Sequence, residues 1–509
     1  MARQSTMLLA LLATLLAALT TAIHAATLPD SSVWTNTNYL KQIDLAGSTS
    51  HALTTLTIKP TSTLTPGTTV PYYFLLSAQE AEQLSWSRLT VRPALDSVLA
   101  ATSELKGGAR PVLGFEAVGA LEGDASKSVV YKAEIPADVL GAEGASLTLE
   151  TALNHVTVPL PSTVKQTDPQ LFLWTGDAAI RSPYPTESGR IKVKASSPKI
   201  ASFTPTDATK SGSIVTFGPF TSVPAHTSTS APIAPATVHF QADTPRATIV
   251  SLERTAEISH WGDALSITDR MLLRNSGPAL KGHFSRIEHQ MASFYNRGSG
   301  SALSSLAFSL PAGVRDPWFI DQIGNVSTSR FRAAPPDPAL VTASVGLPAA
   351  GAKMSLLELQ PRFPLLGGWN YSFSIGYTLP LSAGGWTKRL LGSDDYVTAI
   401  PLFTPLKDVA LDEVATTIVL PEGASRVQLE LPFDMHAVEH GITKTYLDTV
   451  GRPAVRVVRR TCSPQHAQLV YVKYTLTHRA NLIKVAAVAG VTAMLLVATA
   501  VVQRVEMKI

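Results

Sequence analysis

The sequence predicts a mainly β protein with some α-helix: two β-sandwich-like domains followed by a single C-terminal transmembrane helix. Three observations carry that expectation. Short alternating or β-branched runs recur between turn residues. One Pro-, Ser- and Thr-rich segment interrupts them. A long apolar run without charge lies near the C-terminus.

The strands come from the runs at 52–58 (ALTTLTI), 128–135 (SVVYKAEI), 146–153 (SLTLETAL), 191–195 (IKVKA), 237–241 (TVHFQ), 248–258 and 426–431 (RVQLEL). Prolines (35) and glycines (32) are spread between such runs, and that punctuation is what β-sandwiches show. Helices are expected at 77–84, where acidic residues cluster, and at 285–295, after the break at Gly282. The segment 224–235 (PAHTSTSAPIAP) suits a surface loop or linker. It divides the chain into β-rich domains at 27–236 and 237–481. Residues 331–338 (FRAAPPDP) read as a rigid loop in the second domain. Residues 446–453 (YLDTVGRP) have turn chemistry, because Gly451 can take positive φ and Pro453 pins the chain after it. No short-period repeat points to a solenoid or propeller.

The ends place these domains. Residues 1–26 read as a signal peptide, with Arg3 in the basic region, an apolar stretch at 7–19 broken only by Thr14, and small residues Ala25 and Ala26 at the cleavage site. Residues 485–502 carry no charge and are bracketed by Lys484 and Arg504. At about 1.5 Å per residue they cover roughly 27 Å, enough for a thin ER-type bilayer. The predicted span is 482–502, with a short cytosolic tail at 503–509. A cleaved signal followed by a terminal span puts the bulk of the chain in the lumen.

Composition narrows the function classes. Hydrophobic residues make up 45 % and charged residues 16 %, the balance of a globular chain rather than a disordered one. The net charge of +4 is scattered, with no basic stripe for nucleic acid. Cys462 stands alone, so no intrachain disulfide forms, and it is expected as a free thiol in a strand or turn.

One motif invites a catalytic reading. His436-Ala437-Val438-Glu439-His440 matches an inverted zinc-peptidase pattern, which on a helix puts both histidines on one face. Pro432 and Gly441 leave about two turns there, too little for a stable helix. The motif is read instead as a polar loop joining two strands. No nucleophile elbow and no phosphate loop occur. Two sequons, Asn325-Val326-Ser327 and Asn370-Tyr371-Ser372, are glycosylation candidates. Gly368 and Trp369 beside Asn370 suggest a partly packed site and favour Asn325. In the apolar run, Ala486, Gly490 and Ala493 form a small-residue face that suits either packing against another membrane helix or an ordinary alanine-rich anchor.

Several longer segments carry a resemblance. Residues 257–263 (EISHWGD), 280–286 (LKGHFSR), 318–330 (WFIDQIGNVSTSR), 358–380 (containing PRFPLLGGWNYSFSIGYTLP) and 446–453, in this order, resemble the ribophorin I family. Shorter matches at 182–186, 218–220 and 420–424 agree. The resemblance implies a non-catalytic, accessory subunit of the oligosaccharyltransferase complex in the ER membrane. That complex moves a preassembled glycan from dolichol pyrophosphate to Asn of N-x-S/T sequons. It further implies an STT3-type catalytic subunit as partner, other subunits of the complex, contact with nascent polypeptides, no cofactor and no metal, and glycosylation at Asn325. Some members carry a substantial cytosolic region after the span, whereas this chain ends seven residues after Val502. The alternatives from other classes are a metal hydrolase at His436, Glu439 and His440, and an ER chaperone or adhesion protein.

Overall fold

Alternation decides the strands. In Ala264–Asn275 every second side chain is buried and those between face outward, as a half-buried strand requires. The same rule yields Thr49–Pro60, Ser128–Pro136, Thr186–Lys194, Pro235–Ala242 and Ala247–Ser259, each over a run expected to be a strand. The expected strands Ala145–Asn154 and Ser425–Glu430 also form, the first buried on both faces and the second without a buried residue. Both expected helices form, as Ala78–Gln83 and Arg286–Phe294. The first is capped by Ser77, whose hydroxyl accepts from the Glu80 amide at 3.1 Å. The protein is mainly β with some α, and one long apolar helix follows the sheets.

The computed structural model describes residues 25–26, 28, 30–62, 64–65, 67–93, 110–141, 144–294, 301–336, 353–404, 406, 409–445, 448 and 450–506. Residues 1–24 of the expected signal at 1–26 lie outside them, as do the tail end at 507–509, positions 337–338 of the expected loop and positions 446, 447 and 449 of the expected turn. Ala25–Ala26, the last two residues of that expected signal, form a short strand paired with Ala120 and Leu121.

The chain forms two units. The first comprises residues up to Leu160 together with Leu171–Ala242. Its backbone is an eight-stranded mixed sheet in which Trp34–Asp44, Thr49–Pro60 and Ala145–Asn154 are central neighbours. Two four-stranded sheets cover it. Leu56, Ile58, Leu147 and Leu149 of the long sheet pack on Tyr72, Phe74 and Ile135 of one. Further along, Ile43, Leu153 and Val193 pack on Phe172, Trp174 and Phe240 of the other. Pro235–Ala242 runs across 236/237, where the sequence suggested a boundary. It contributes Ala236, Val238 and Phe240 to this second core, so the first unit ends after it.

The second unit comprises Pro161–Gln170 and the chain from Asp243. Its long sheet has seven strands, in the order Arg315–Asp321, Asn370–Pro380, Ala264–Asn275, Ala247–Ser259, Val409–Val419, Arg452–Cys462 and Ala437–Thr443. A three-stranded and a four-stranded sheet pack on it through one core, where Leu252, Ile267, Phe373 and Val414 meet Phe308, Leu357, Ile400 and Val472. The segment 161–170 joins by parallel pairing of Thr163–Val164 with Ala279–Leu280.

Two local expectations change. His436-x-x-Glu439-His440 is no loop: Ala437–Thr443 is an edge strand paired with Arg452–Cys462. Val438 and Ile442 here satisfy strand propensity, and pairing to a buried neighbour outweighs the turn signal of Gly441. Phe331 and Arg332, expected in a loop, end the strand Ser329–Arg332. Gly451 does take positive φ, at 93°.

The last element is the helix His478–Glu506, 29 residues and about 43 Å long. The expected span 482–502 lies within it. Its most apolar 18-residue window has mean hydropathy 2.4, and none of that window is buried. The hydroxyls of Thr492 and Thr499 donate to carbonyls within the helix, which leaves no dangling donor for lipid.

Candidate functional site

The first sequon sits on a turn built by one carboxylate. After the strand Arg315–Asp321 the chain reverses, and Asn325 pairs back against Ile320. Asp321 Oδ1 accepts from the amides of Ile323 and Gly324 at 2.9 and 3.0 Å, and Gly324 supplies the positive φ of 138°. Arg362 locks the turn from outside. Its Nε donates to Asp321 Oδ2 at 2.5 Å and its Nη2 donates to the Asn325 carbonyl at 2.8 Å. Asn325 is exposed, while Val326 is buried beneath it.

The second sequon begins a strand. Asn370 is the first residue of Asn370–Pro380 and is exposed, facing outward with Ser372 and Ser374. Tyr371 points inward, and its hydroxyl donates to Asp321 Oδ2 at 3.3 Å. One carboxylate therefore ties both sequons together. Burial opposes its ionisation, but the hydrogen bonds from Arg362, Ile323 and Gly324 outweigh burial and hold Asp321 below the ordinary carboxylate range. The Asp321→Asn variant is expected to lose roughly 1.5–3 kcal/mol, the range for hydrogen bonds to a charged group. A lowered folded pKa gives stability that is present above the unfolded value near 4 and lost as pH falls through the folded one. The difference between wild type and Asp321→Asn in denaturant unfolding should thus stay constant from pH 7 to pH 5 and shrink below about pH 4.

The zinc-like motif does not converge. On a strand rising about 3.3 Å per residue, His436 and His440 stand roughly 13 Å apart, and Glu439 faces the opposite side. Glu439 lies across from Arg456, and the Arg460 amide donates to His436 Nδ1 at 3.4 Å. Among the described residues no group of three His, Cys, Asp or Glu side chains is placed to hold a metal ion. Cys462 ends its strand as a buried thiol that donates to the Arg459 carbonyl at 3.7 Å, and burial pushes it up to about 12, far from a reactive thiolate.

Sequence reasoning missed the buried charges. In the first unit, between its two cores, Lys41 pairs with Glu80 at 2.5 Å. Arg181 grips Asp177 through two bonds of 2.7 and 2.8 Å and reaches Ser128 at 2.5 Å. Asp124 accepts from the amides of Ser126 and Ser128, both at 2.9 Å, and lies 3.2 Å from His226 Nε2. In the second unit Arg254 and Asp269 are cross-strand partners with no exposed side-chain surface. The Lys41–Glu80, Arg181–Asp177 and Arg254–Asp269 pairs neutralise one another within the interior, where removing one partner would leave an uncompensated charge. For Lys41, Arg254 and Asp269 the sequence signal was a charged residue at an inward position of an alternating run, whereas Glu80, Asp124, Asp177 and Arg181 carried no such signal.

The membrane helix carries the third predicted feature. Ala486, Gly490 and Ala493 are all exposed, and space around Gly490 is open.

Comparison with known sequences gives these features a frame. The sequence profile of ribophorin I matches residues 34–503. The chain belongs to the ribophorin I family. The match runs from the first long strand of the first unit into the apolar helix, so most of both units falls within it. Similar proteins include the dolichyl-diphosphooligosaccharide–protein glycosyltransferase subunit 1B of Oryza sativa subsp. japonica, 34 % identical over 64 % of this chain and 63 % of that one. Subunit 1A of Arabidopsis thaliana is 30 % identical over 69 % of this chain and 52 % of that one. Subunit 1 of Caenorhabditis elegans is 31 % identical over 68 % and 54 %. The chain thus spans between 52 % and 63 % of the length of these three relatives. Among solved structures, an M1 zinc metallopeptidase from Deinococcus radiodurans aligns over 44 % of this chain and 42 % of that one, at 12 % identity and a TM-score of 0.22. A likeness that slight carries no argument.

Proposed function

We propose that this chain is a non-catalytic, membrane-anchored subunit of an oligosaccharyltransferase, holding its two β-rich units in the ER lumen beside an STT3-type catalytic subunit and nascent polypeptides. The observation that carries the reading is membership of the ribophorin I family over residues 34–503, with relatives named as subunit 1 of that glycosyltransferase. The exposed apolar helix supports a single-pass type I anchor. A supporting role suits a chain whose interior charges pair with one another and whose one thiol is buried and held protonated. Glycosylation at Asn325 and Asn370 follows from this placement. No step of the transfer is assigned to a residue here.

The test is affinity purification of the tagged full chain in mild detergent, with mass spectrometry of its companions. Stoichiometric recovery of an STT3-type subunit is the expected result, and recovery of the chain alone would overturn the reading. The same preparation tests the face Ala486, Gly490 and Ala493 as a helix contact. Replacing all three by Leu or Ile removes the close approach that small residues permit. Co-purification should then fall several-fold, and unchanged recovery would remove this contact while leaving the assignment intact.

A further inference from the structure

The outer face of the long sheet in the second unit holds an open shelf of about 400 Å³, within the range of small-molecule sites. Strand register builds it row by row. Glu253 lies opposite Arg270, Arg270 opposite Ser374, and Ser374 opposite Ile320. In the adjacent row Ser251, Leu272 and Ser372 are lateral neighbours. Among the described residues no side-chain hydrogen bond or ion pair engages Ser251, Glu253, Arg270, Ser372 or Ser374. Hydroxyl, carboxylate and guanidinium groups with unused capacity, set beside apolar Leu272 and Ile320, suit a ligand with hydroxyls on its rim and C–H groups on its faces. A saccharide has that chemistry.

The strand that floors the shelf also carries a sequon. Asn370, Ser372 and Ser374 are successive outward positions of one strand, so Asn370 sits about 6.6 Å from the shelf's near edge. We propose that the shelf seats an N-linked glycan carried by Asn370, its inner sugars lying over Ser372 and Ser374 and contacting Glu253 and Arg270. The proposal rests on the lumenal placement above. In the transfer, the Asn370 amide nitrogen bonds the anomeric carbon of the glycan and gives up one proton to solvent. The bond from that carbon to the phosphate oxygen breaks, and dolichyl diphosphate leaves with the electron pair. Tyr371, between acceptor and hydroxyl, is only 5 % exposed in the fold, so modification precedes docking of this strand. Asn325 is the poorer source of the occupant. It stands beyond apolar Ile320, at the sheet edge beside Ile323, which is 80 % exposed.

The experiment uses the full chain purified with its companions in mild detergent. Glycopeptide mass spectrometry reads occupancy at each sequon, and a timed digestion with an endoglycosidase that cuts within the inner sugars reads access. Asn370 is expected to be occupied. Its glycan should be released about ten-fold more slowly from native than from denatured protein, the factor that about 1.4 kcal/mol of contact supplies. Ser374→Trp, which fills the shelf, and Glu253→Lys, which reverses its charge, should each bring release towards the denatured rate without changing occupancy. An empty Asn370 overturns the proposal, as does a native rate equal to the denatured one or unchanged by both variants. Slow release at Asn325 relieved by Ser374→Trp would assign the shelf to the other glycan and overturn it too. If Asn325 alone is occupied, lumenal placement stands and only this inference fails. If both are empty, the placement fails with it.

Discussion

The Asp269→Ala variant is expected to unfold with about 3–5 kcal/mol less free energy than the wild-type chain, because it leaves one partner of a buried pair as an uncompensated charge. Arg254 and Asp269 face each other on adjacent strands, joined by two bonds of 2.6 Å, and neither side chain reaches solvent. Burial works against the Arg254 charge, and Asp269 more than offsets it, holding the guanidinium above arginine's ordinary value. Without Asp269 the guanidinium keeps only neutral acceptors, the Pro401 carbonyl at 2.8 Å, the Thr404 hydroxyl and the Tyr377 hydroxyl at 3.5 Å. The double variant Arg254→Met/Asp269→Leu should recover most of the loss, since apolar side chains of similar volume remove both charges together. Urea titration of the full chain in detergent, followed by protease resistance of the second unit, reads both. A double variant as unstable as Asp269→Ala would show that the pair matters through packing and not through an orphaned charge.

Substituting Val491 and Leu495 by Arg is expected to abolish stable membrane association. Each Arg near the centre of a spanning helix costs about 2.5–3.5 kcal/mol on insertion scales, while each Val or Leu contributes only about 0.3–0.6. Two replacements therefore outweigh the apolar residues of the 485–502 run. Both side chains are exposed on a helix that the rest of the fold does not cover, so the fold itself should be untouched. Alkaline carbonate extraction measures this: wild type should stay in the pellet and the double variant should move to the supernatant. A Thr492→Leu control should behave as wild type. Retention of the Arg variant in the pellet would mean that something other than this helix anchors the chain.

Much of the fold was legible in residues. The alternation in 248–258 and 146–153 gave strands because the side-chain period of a strand is two, whatever it pairs with. Ser77 before an acidic run gave a helix start because a hydroxyl there satisfies an orphan amide. The run at 485–502 gave a spanning helix because its length and lack of charge are properties of the chain alone. The two sequons were visible as triplets, and their exposure was not. Asn370, which looked packed from its neighbours Gly368 and Trp369, starts an outward-facing position.

By itself, then, the sequence determined the strands over its alternating runs, the two short helices, the long apolar helix and the family, all set by local periodicity or by motif order. Tertiary structure decided what required distant segments to meet. It drew Pro161–Gln170 into the second unit. It turned His436-x-x-Glu439-His440 into an edge strand whose histidines point to no shared ion. It set Lys41 against Glu80 and brought Glu253, Arg270 and Ser374 into one row. Register between strands far apart in sequence is fixed by which faces the whole core buries, and a one-residue slip would send each of these side chains to the other face.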